Sequence, residues 1–308
     1  MNLDFRFGFV AVIGRPNVGK STLMNALLGQ KVAAVSPKAQ TTRRRQLGIL
    51  TTDSAQIVFV DTPGIHNPRH KLGVFLNQEA EDALPGVDAV LFLVDAAEQP
   101  TDEDKWIATR LSRLARRTPL VLAPNKIDLV PAEALTPRLE AYQALVPEDT
   151  QTFPISSTTG VGLDALLAAL TEQIPFRKPE YEPEQITDSY ERDIAAELIR
   201  EACLHHLRDE VPHGVAVRID EFTERGDEGA YIAATIFVER ESQKGIVIGR
   251  GGEMLKRIGT TARKEIEEMS GRKVFLELRV KVLKDWRKDE KAMRRFGYKI
   301  NKKKNKIF

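Results

Sequence analysis

The feature that most constrains this chain is an eight-residue stretch, Gly14-Arg15-Pro16-Asn17-Val18-Gly19-Lys20-Ser21. It sits between an apolar run from Phe9 to Ile13 and a helical pattern in which Leu23, Leu27 and Leu28 share a face. Gly, Gly, Lys and Ser at this spacing, after a strand and before a helix, make a loop whose backbone N–H groups turn inward and cradle phosphates. The positive end of the following helix adds to that field. Lys20 is placed to reach the β- and γ-phosphates of a nucleotide, and the Ser21 hydroxyl, followed by Thr22, to bind Mg²⁺.

The pattern around the loop repeats. Apolar runs at Ile57–Val60, Ala89–Val94 and Leu120–Ala123 read as buried parallel strands, and helical faces such as Leu163, Leu166, Leu167 and Leu170 follow them. Strand and helix alternating at this pitch predict an α/β domain with a doubly wound, mostly parallel sheet over residues 1–174, with ligands beyond the carboxyl ends of the strands. The longest apolar run is too short to cross a bilayer. The single cysteine, Cys203, excludes an intrachain disulfide and fits a reducing cytosol.

Two further strand ends carry chemistry. Asp61-Thr62-Pro63-Gly64 offers a carboxylate that can hold Mg²⁺ through water and a Gly64 N–H that can reach a γ-phosphate. Asn125-Lys126-Ile127-Asp128 offers a carboxylate that can accept both the N1–H and the exocyclic amine of guanine. Adenine lacks the first donor, so the predicted base is guanine and the ligands are GTP and GDP. The Lys126 stem can lie along the base, and Asn125 can tie its loop to the phosphate loop. After Asp-x-x-Gly comes Ile65, where an aliphatic chain cannot orient a water. His66 and His70 just beyond read as mobile, solvated side chains.

Prolines at 175, 179 and 183 predict an extended linker over residues 175–188. Beyond it, a helix from about Tyr190 to Leu207, two alternating strands through Val215–Ile219 and Ile232–Val238, a Gly-rich turn, a helix and a third strand from Val274 to Val282 predict a small α+β domain over residues 189–308. The net charge of +2 conceals a division. Residues 1–240 hold 25 Lys+Arg against 35 Asp+Glu, and residues 241–308 hold 21 against 9. Because residues 181–240 are themselves acidic, the basic surface is expected on one face of this second domain.

Residues 5–174 resemble the small GTPases of the translation-factor class, and their phosphate loop is closest to the Era-like and EngA-like branch. The resemblance implies that Thr42, in Gln40-Thr41-Thr42-Arg43, is the switch I threonine that binds Mg²⁺ with GTP present, Thr41 being the adjacent alternative. Lys20, Thr42 and Gly64 are then the residues that act on the phosphates. It implies that Ser156-Ser157 is the last guanine loop, where relatives have Ser-Ala, and that Asn17 helps to hold a K⁺ ion.

Gly245-Ile246-Val247-Ile248-Gly249-Arg250-Gly251-Gly252 before an amphipathic helix resembles a type II KH domain. The implied RNA contacts are Ile248, Gly249, Arg250, Gly251, Gly252, Lys256 and Arg257, the groove taking unpaired bases. Trp286, among Lys284, Arg287 and Lys288, reads equally as a base-stacking surface or a packing anchor. The tail from Lys299 to Lys306 is expected to add salt-sensitive affinity for phosphate, or for an anionic membrane.

The two domains in this order resemble the Era family over essentially the whole chain. That implies a GTP-hydrolysing switch that binds the 3′ end region of small-subunit ribosomal RNA and assists assembly and maturation of the small ribosomal subunit. It also implies a cytoplasmic monomer that can associate peripherally with the inner membrane. Two other readings are an RNA-binding chaperone with GTP as a structural ligand, and a membrane-associated regulatory GTPase.

Overall fold

A computed structural model of the chain describes residues 4–36, 38, 41–66, 68, 70–114, 118–224 and 229–298. The first unit runs β1 (Arg6–Ile13), α1 (Lys20–Leu28), β2 (Gln46–Thr51), β3 (Ala55–Asp61), α2 (Lys71–Glu81), β4 (Ala89–Asp95), α3 (Asp102–Leu114), β5 (Leu120–Asn125), α4 (Ala132–Gln143), β6 (Gln151–Thr152) and α5 (Leu163–Gln173). Its six strands lie in the order β2-β3-β1-β4-β5-β6, parallel except for β2, which pairs antiparallel with β3. β3, β4 and β5 are buried along their whole length, because helices cover both faces of the sheet. One cluster packs on Leu23, Met24, Leu166 and Leu170, and the other on Ile107, Leu111 and Tyr142.

The parallel order brings the carboxyl ends of β1, β3 and β5 to one edge, and the loops that follow them carry the three motifs. Local chemistry then sets the helix starts. α1 begins at Gly19, whose φ is 103° and where a Cβ would stand 2.4 Å from Asn125 Nδ2, so only glycine fits. Thr101 and Asp104 bond each other reciprocally at the start of α3, with Asp102, Glu103 and Asp104 in its first turn.

The second unit runs α6 (Glu191–His206), β7 (Ala216–Glu224), β8 (Ala230–Val238), α7 (Glu241–Ile248), α8 (Glu253–Ser270), β9 (Val274–Val282) and α9 (Glu290–Arg294). Its three strands lie in the order β7-β8-β9, β8 being antiparallel to β7 and parallel to β9. The inward residues of β8 and β9 pack on Ile194, Leu198 and Cys203 of α6 and on Ile258, Ala262 and Ile266 of α8. Burial pushes the Cys203 thiol up to about 12, so it is a packing residue and not a reactive one.

The Pro-rich segment between the units is extended, as its composition predicts, but it is strapped to the first unit. Gln56, fully buried in β3, accepts from the Glu180 and Tyr181 N–H groups at 3.1 and 3.0 Å and donates to the Tyr181 carbonyl at 3.0 Å. The Ile49 N–H donates to the Ile186 carbonyl, and Phe176 bridges to Arg6. The segment is an edge fitting of the sheet and not a free tether.

Candidate nucleotide site and its contact with the second domain

The phosphate loop closes around its own lysine. Lys20 Nζ donates to the Gly14 and Arg15 carbonyls at 3.1 and 2.9 Å and is almost wholly buried. Burial, with the nearby Arg15 charge and against the pull of Asp61, lowers its pKa to about 8. A phosphate at this place supplies the missing counter-charge. The Arg15 guanidinium is mostly buried and is held by Glu98 at 2.6 Å and Asp104 at 3.3 Å. Asn17 takes a left-handed φ of 67°, which asparagine tolerates, and its carbonyl accepts from Lys126 Nζ at 2.8 Å. Gly64 lies flat against the loop, since a Cβ there would stand 2.5 Å from the Pro16 nitrogen.

Beside Lys20 three oxygen ligands converge. Ser21 Oγ lies 2.8 Å from Thr42 Oγ1, and both donate to Asp61 Oδ2, at 2.7 and 3.3 Å. Asp61 is fully buried, its pKa is raised by that burial, and its Oδ1 has no hydrogen-bond partner among the described residues. An all-oxygen set with a buried carboxylate and an unused lone pair suits a hard cation such as Mg²⁺. Of the two threonines in switch I, the structure brings Thr42 to Ser21 and Asp61. The Thr41 hydroxyl instead donates to the Lys38 carbonyl at 2.7 Å.

The loop after β5 is tied down as its residue types suggest. Asn125 Nδ2 donates to the Val18 carbonyl at 2.8 Å, and its Oδ1 accepts from the Ser157 N–H and hydroxyl at 2.9 and 3.0 Å. Ser157 thus uses its extra hydroxyl to hold Asn125, and Ser156 Oγ caps the next turn by accepting from the Thr159 N–H. Lys126, in a left-handed conformation, pairs with Asp95 at 2.5 Å. Ile127 and Asp128 start a short 3-10 turn in which Asp128 is exposed and free to meet a base edge. The cavity bounded by Pro16, Lys20, Ser21, Thr22, Thr42, Gly64 and Lys126 measures about 270 Å³.

The Ile65 side chain packs in the core cluster with Ala11, Ile13, Val90 and Phe92, and its N–H donates to the Gly14 carbonyl of the phosphate loop at 3.3 Å. Two expectations need correction. The histidines after Gly64, in the segment that corresponds to switch II of such GTPases, are not freely solvated: His70 Nδ1 caps α2 by accepting from the Gly73 N–H, and His66 Nδ1 lies 3.0 Å from the Gly64 carbonyl. Trp286 is completely buried and donates through Nε1 to the Gly214 carbonyl at 2.8 Å, which makes it a packing anchor with no face for a base. In the second unit, Ile248 ends α7, and Gly249, Gly251 and Gly252 all have positive φ, at 75°, 60° and 82°. Lys256 and Arg257 lie on the exposed side of α8, Arg257 paired with Glu253. The Lys299–Lys306 tail lies outside the described residues.

Residue types alone did not disclose how both switches dock on the second unit. Arg43, next to Thr42, is fully buried there. Its guanidinium donates to the Val215 and His213 carbonyls at 2.6 and 3.0 Å and lies 5.6 Å from the Trp286 ring. Arg44 donates to the Phe296 carbonyl, Arg200 of α6 donates to the Thr41 carbonyl, and Lys31 pairs with Glu201 and Glu265. On switch II, Leu72, Phe75 and Leu76 of α2 pack into one cluster with Phe237, Trp286, Met293, Phe296 and Tyr298. The triple arginine and the Leu72/Phe75/Leu76 stripe were the available signals.

Residues 9–126 match the family described as 50S ribosome-binding GTPase, and residues 210–287 match the KH domain. Among solved structures, the chain is similar to Era in complex with MgGDPNP and nucleotides 1506–1542 of 16S ribosomal RNA. The identity is 40%, over 96% of this chain and 100% of that one, with a TM-score of 0.91. It is equally similar to a variant of Aquifex aeolicus Era bound to GDP and AlF4⁻, with 41% identity over the same shares and a TM-score of 0.90.

The lowered Lys20 pKa gives a measurable sign. A phosphate stabilises the ammonium form, so GDP binding in EDTA at pH 8 should take up about half a proton per site, fading towards neutral pH. Calorimetry in buffers of different ionisation enthalpy measures this. Heats independent of buffer at pH 8 contradict the assignment.

Proposed function

We propose that this chain, which belongs to the Era family of GTPases, is a GTP-hydrolysing switch whose nucleotide state sets the docking of an RNA-binding KH domain. The observation that carries the reading is the division of labour within switch I. Thr42 closes on Ser21 and Asp61, while the next side chain, Arg43, is buried in the second domain.

In this reading Lys20 and the phosphate-loop N–H groups hold the β- and γ-phosphates, and the Gly64 N–H meets the γ-phosphate. Ser21 and Thr42 ligate Mg²⁺, with Asp61 acting through water, and the metal, when bound, neutralises charge on the phosphates. Asp128 selects guanine and Asn125 fixes its loop to the phosphate loop. With Ile65 packed in the core, the chain has no glutamine-like residue at that position to orient the attacking water. A K⁺ ion near Asn17 belongs to the same proposal, as a charge that assists turnover.

The RNA partner is inferred from the relative solved with 16S ribosomal RNA nucleotides, and from the glycine loop between α7 and α8. Positive φ at three glycines brings the backbone close to a nucleic-acid chain, with the α8 N-terminus facing phosphate. Residence on the small ribosomal subunit during its assembly, in the cytoplasm, completes the proposal. No helix among the described residues is long and apolar enough to cross a membrane.

Two substitutions separate the two activities. Asp128→Asn should shift preference from guanine towards xanthine nucleotides by tenfold or more, read by competition binding; unchanged selectivity refutes the base assignment. Gly251→Asp should reduce affinity for a single-stranded RNA by tenfold or more at moderate salt with nucleotide binding intact. A Cβ at Gly251 meets nothing within 4 Å, and aspartate is one of the few residues that enter its left-handed φ of 60°, at some strain, so the main effect is the charge that repels phosphate. RNA affinity that survives this change contradicts the KH assignment.

A further inference from the structure

A second cavity, larger than the nucleotide site at about 440 Å³, lies between the two units on the far side of Thr42. Its walls come from switch I, the N-terminal turn of α6, the outer edge of β7 and the turn after α9. Arginines dominate those walls: Arg45 from switch I, Arg192 from α6, Arg218 from β7 and Arg295 after α9, with Arg43 and Arg44 alongside.

The charge balance there is positive. The acids in the lining are Asp188, Asp193 and Glu197, and Glu197 is already bonded to Arg200. Arg192 and Arg218 are engaged, with the Ile219 carbonyl and with Asp220. Arg45 and Arg295 are exposed and have no side-chain hydrogen bond or ion pair among the described residues. Arg43 is 1% exposed, and its Nε is a buried donor with no acceptor among the described residues. A cavity whose lining holds six arginines against three carboxylates, with Arg45 and Arg295 unpaired among the described residues, suits an anion.

The cavity is not a continuation of the KH groove. It opens at β7, whereas α7 and α8, which carry the glycine loop, pack on β9, the opposite edge of the sheet. Its volume falls in the range of small-molecule sites.

We propose that this cavity is a second anion site, specific for a small ligand carrying at least two linked phosphate groups, as in pyrophosphate or a nucleoside polyphosphate. Arginines from four chain segments line it, so a multiply charged anion can engage several of them where a single phosphate reaches fewer. The bound anion ties Arg43–Arg45 of switch I to α6, β7 and the last turn. It therefore stabilises the docked arrangement of the two domains.

The test uses the full chain saturated with Mg²⁺ and a non-hydrolysable GTP analogue, so that the first site is filled. Inorganic pyrophosphate is titrated in with Mg²⁺ in excess, and heats of binding are measured. One further site per chain is expected, with affinity falling at least tenfold in the Arg45→Ala/Arg295→Ala double variant while GTP-analogue affinity is unchanged. Orthophosphate should bind at least tenfold more weakly than pyrophosphate. The proposal is overturned by the lack of a second site, by binding that survives the double substitution, or by orthophosphate binding equally well. It is also overturned if a single-stranded RNA displaces the pyrophosphate, since the cavity would then be part of the RNA path.

Discussion

A guanidinium group buried between two domains is the constraint on which the rest of the structure depends. Arg43 carries a charge that burial disfavours, and its pKa is lowered accordingly. The backbone carbonyls of Val215 and His213 stabilise it, together with the Trp286 ring. Separating the domains leaves those carbonyls without their donor, at a cost of roughly 1–3 kcal/mol for each one that stays buried. One residue earlier, Thr42 is committed to Ser21 and Asp61. Because the two residues are adjacent, moving Thr42 away from Ser21 and Asp61 pulls on Arg43 in its socket, and this is the physical basis of the proposed coupling between the sites.

The coupling is reinforced on both sides of that residue. Switch II docks through Leu72, Phe75 and Leu76 of α2 on the cluster that also holds Trp286 and Phe296, so switch I and α2 meet one surface of the second unit. Lys31 reaches Glu265 on α8, the helix that begins directly after the glycine loop. Nucleotide site, switches and α8 are thus joined by packed or charge-paired contacts. The interface combines an apolar cluster with buried arginines, and its partly exposed Lys31–Glu265 pair is the part expected to respond to salt.

The sequence disclosed what is local and withheld what is long-range. Gly19, Lys20, Ser21 and Asn125 are legible because their chemistry depends on spacing along a strand–loop–helix unit, and the fold then brings the strand ends together. The pair of switch threonines stayed ambiguous, because only the approach of switch I to Asp61 distinguishes Thr42 from Thr41. β2 was not read as a strand at all. Gln46–Thr51 lacks a clear alternation, and its position at the sheet edge is set by pairing with β3. Trp286 could not be assigned, since a tryptophan among lysines is consistent with either role until α2 is seen to cover it. Nothing in the local sequence distinguishes Arg43 from Arg44 and Arg45. Its burial follows from the docking of one domain on the other, which no local pattern encodes.

The most direct measurement is RNA affinity in two nucleotide states, for the wild-type chain and for Arg43→Ala. Fluorescence anisotropy with a labelled single-stranded RNA from the 3′ end of small-subunit ribosomal RNA reads both. Coupling through Arg43 requires that the affinities with GTP analogue and with GDP differ by fivefold or more in the wild type. In the variant they should converge to within twofold, with GDP affinity unchanged. If Arg43→Ala keeps the full nucleotide dependence, the signal between the domains does not run through this residue.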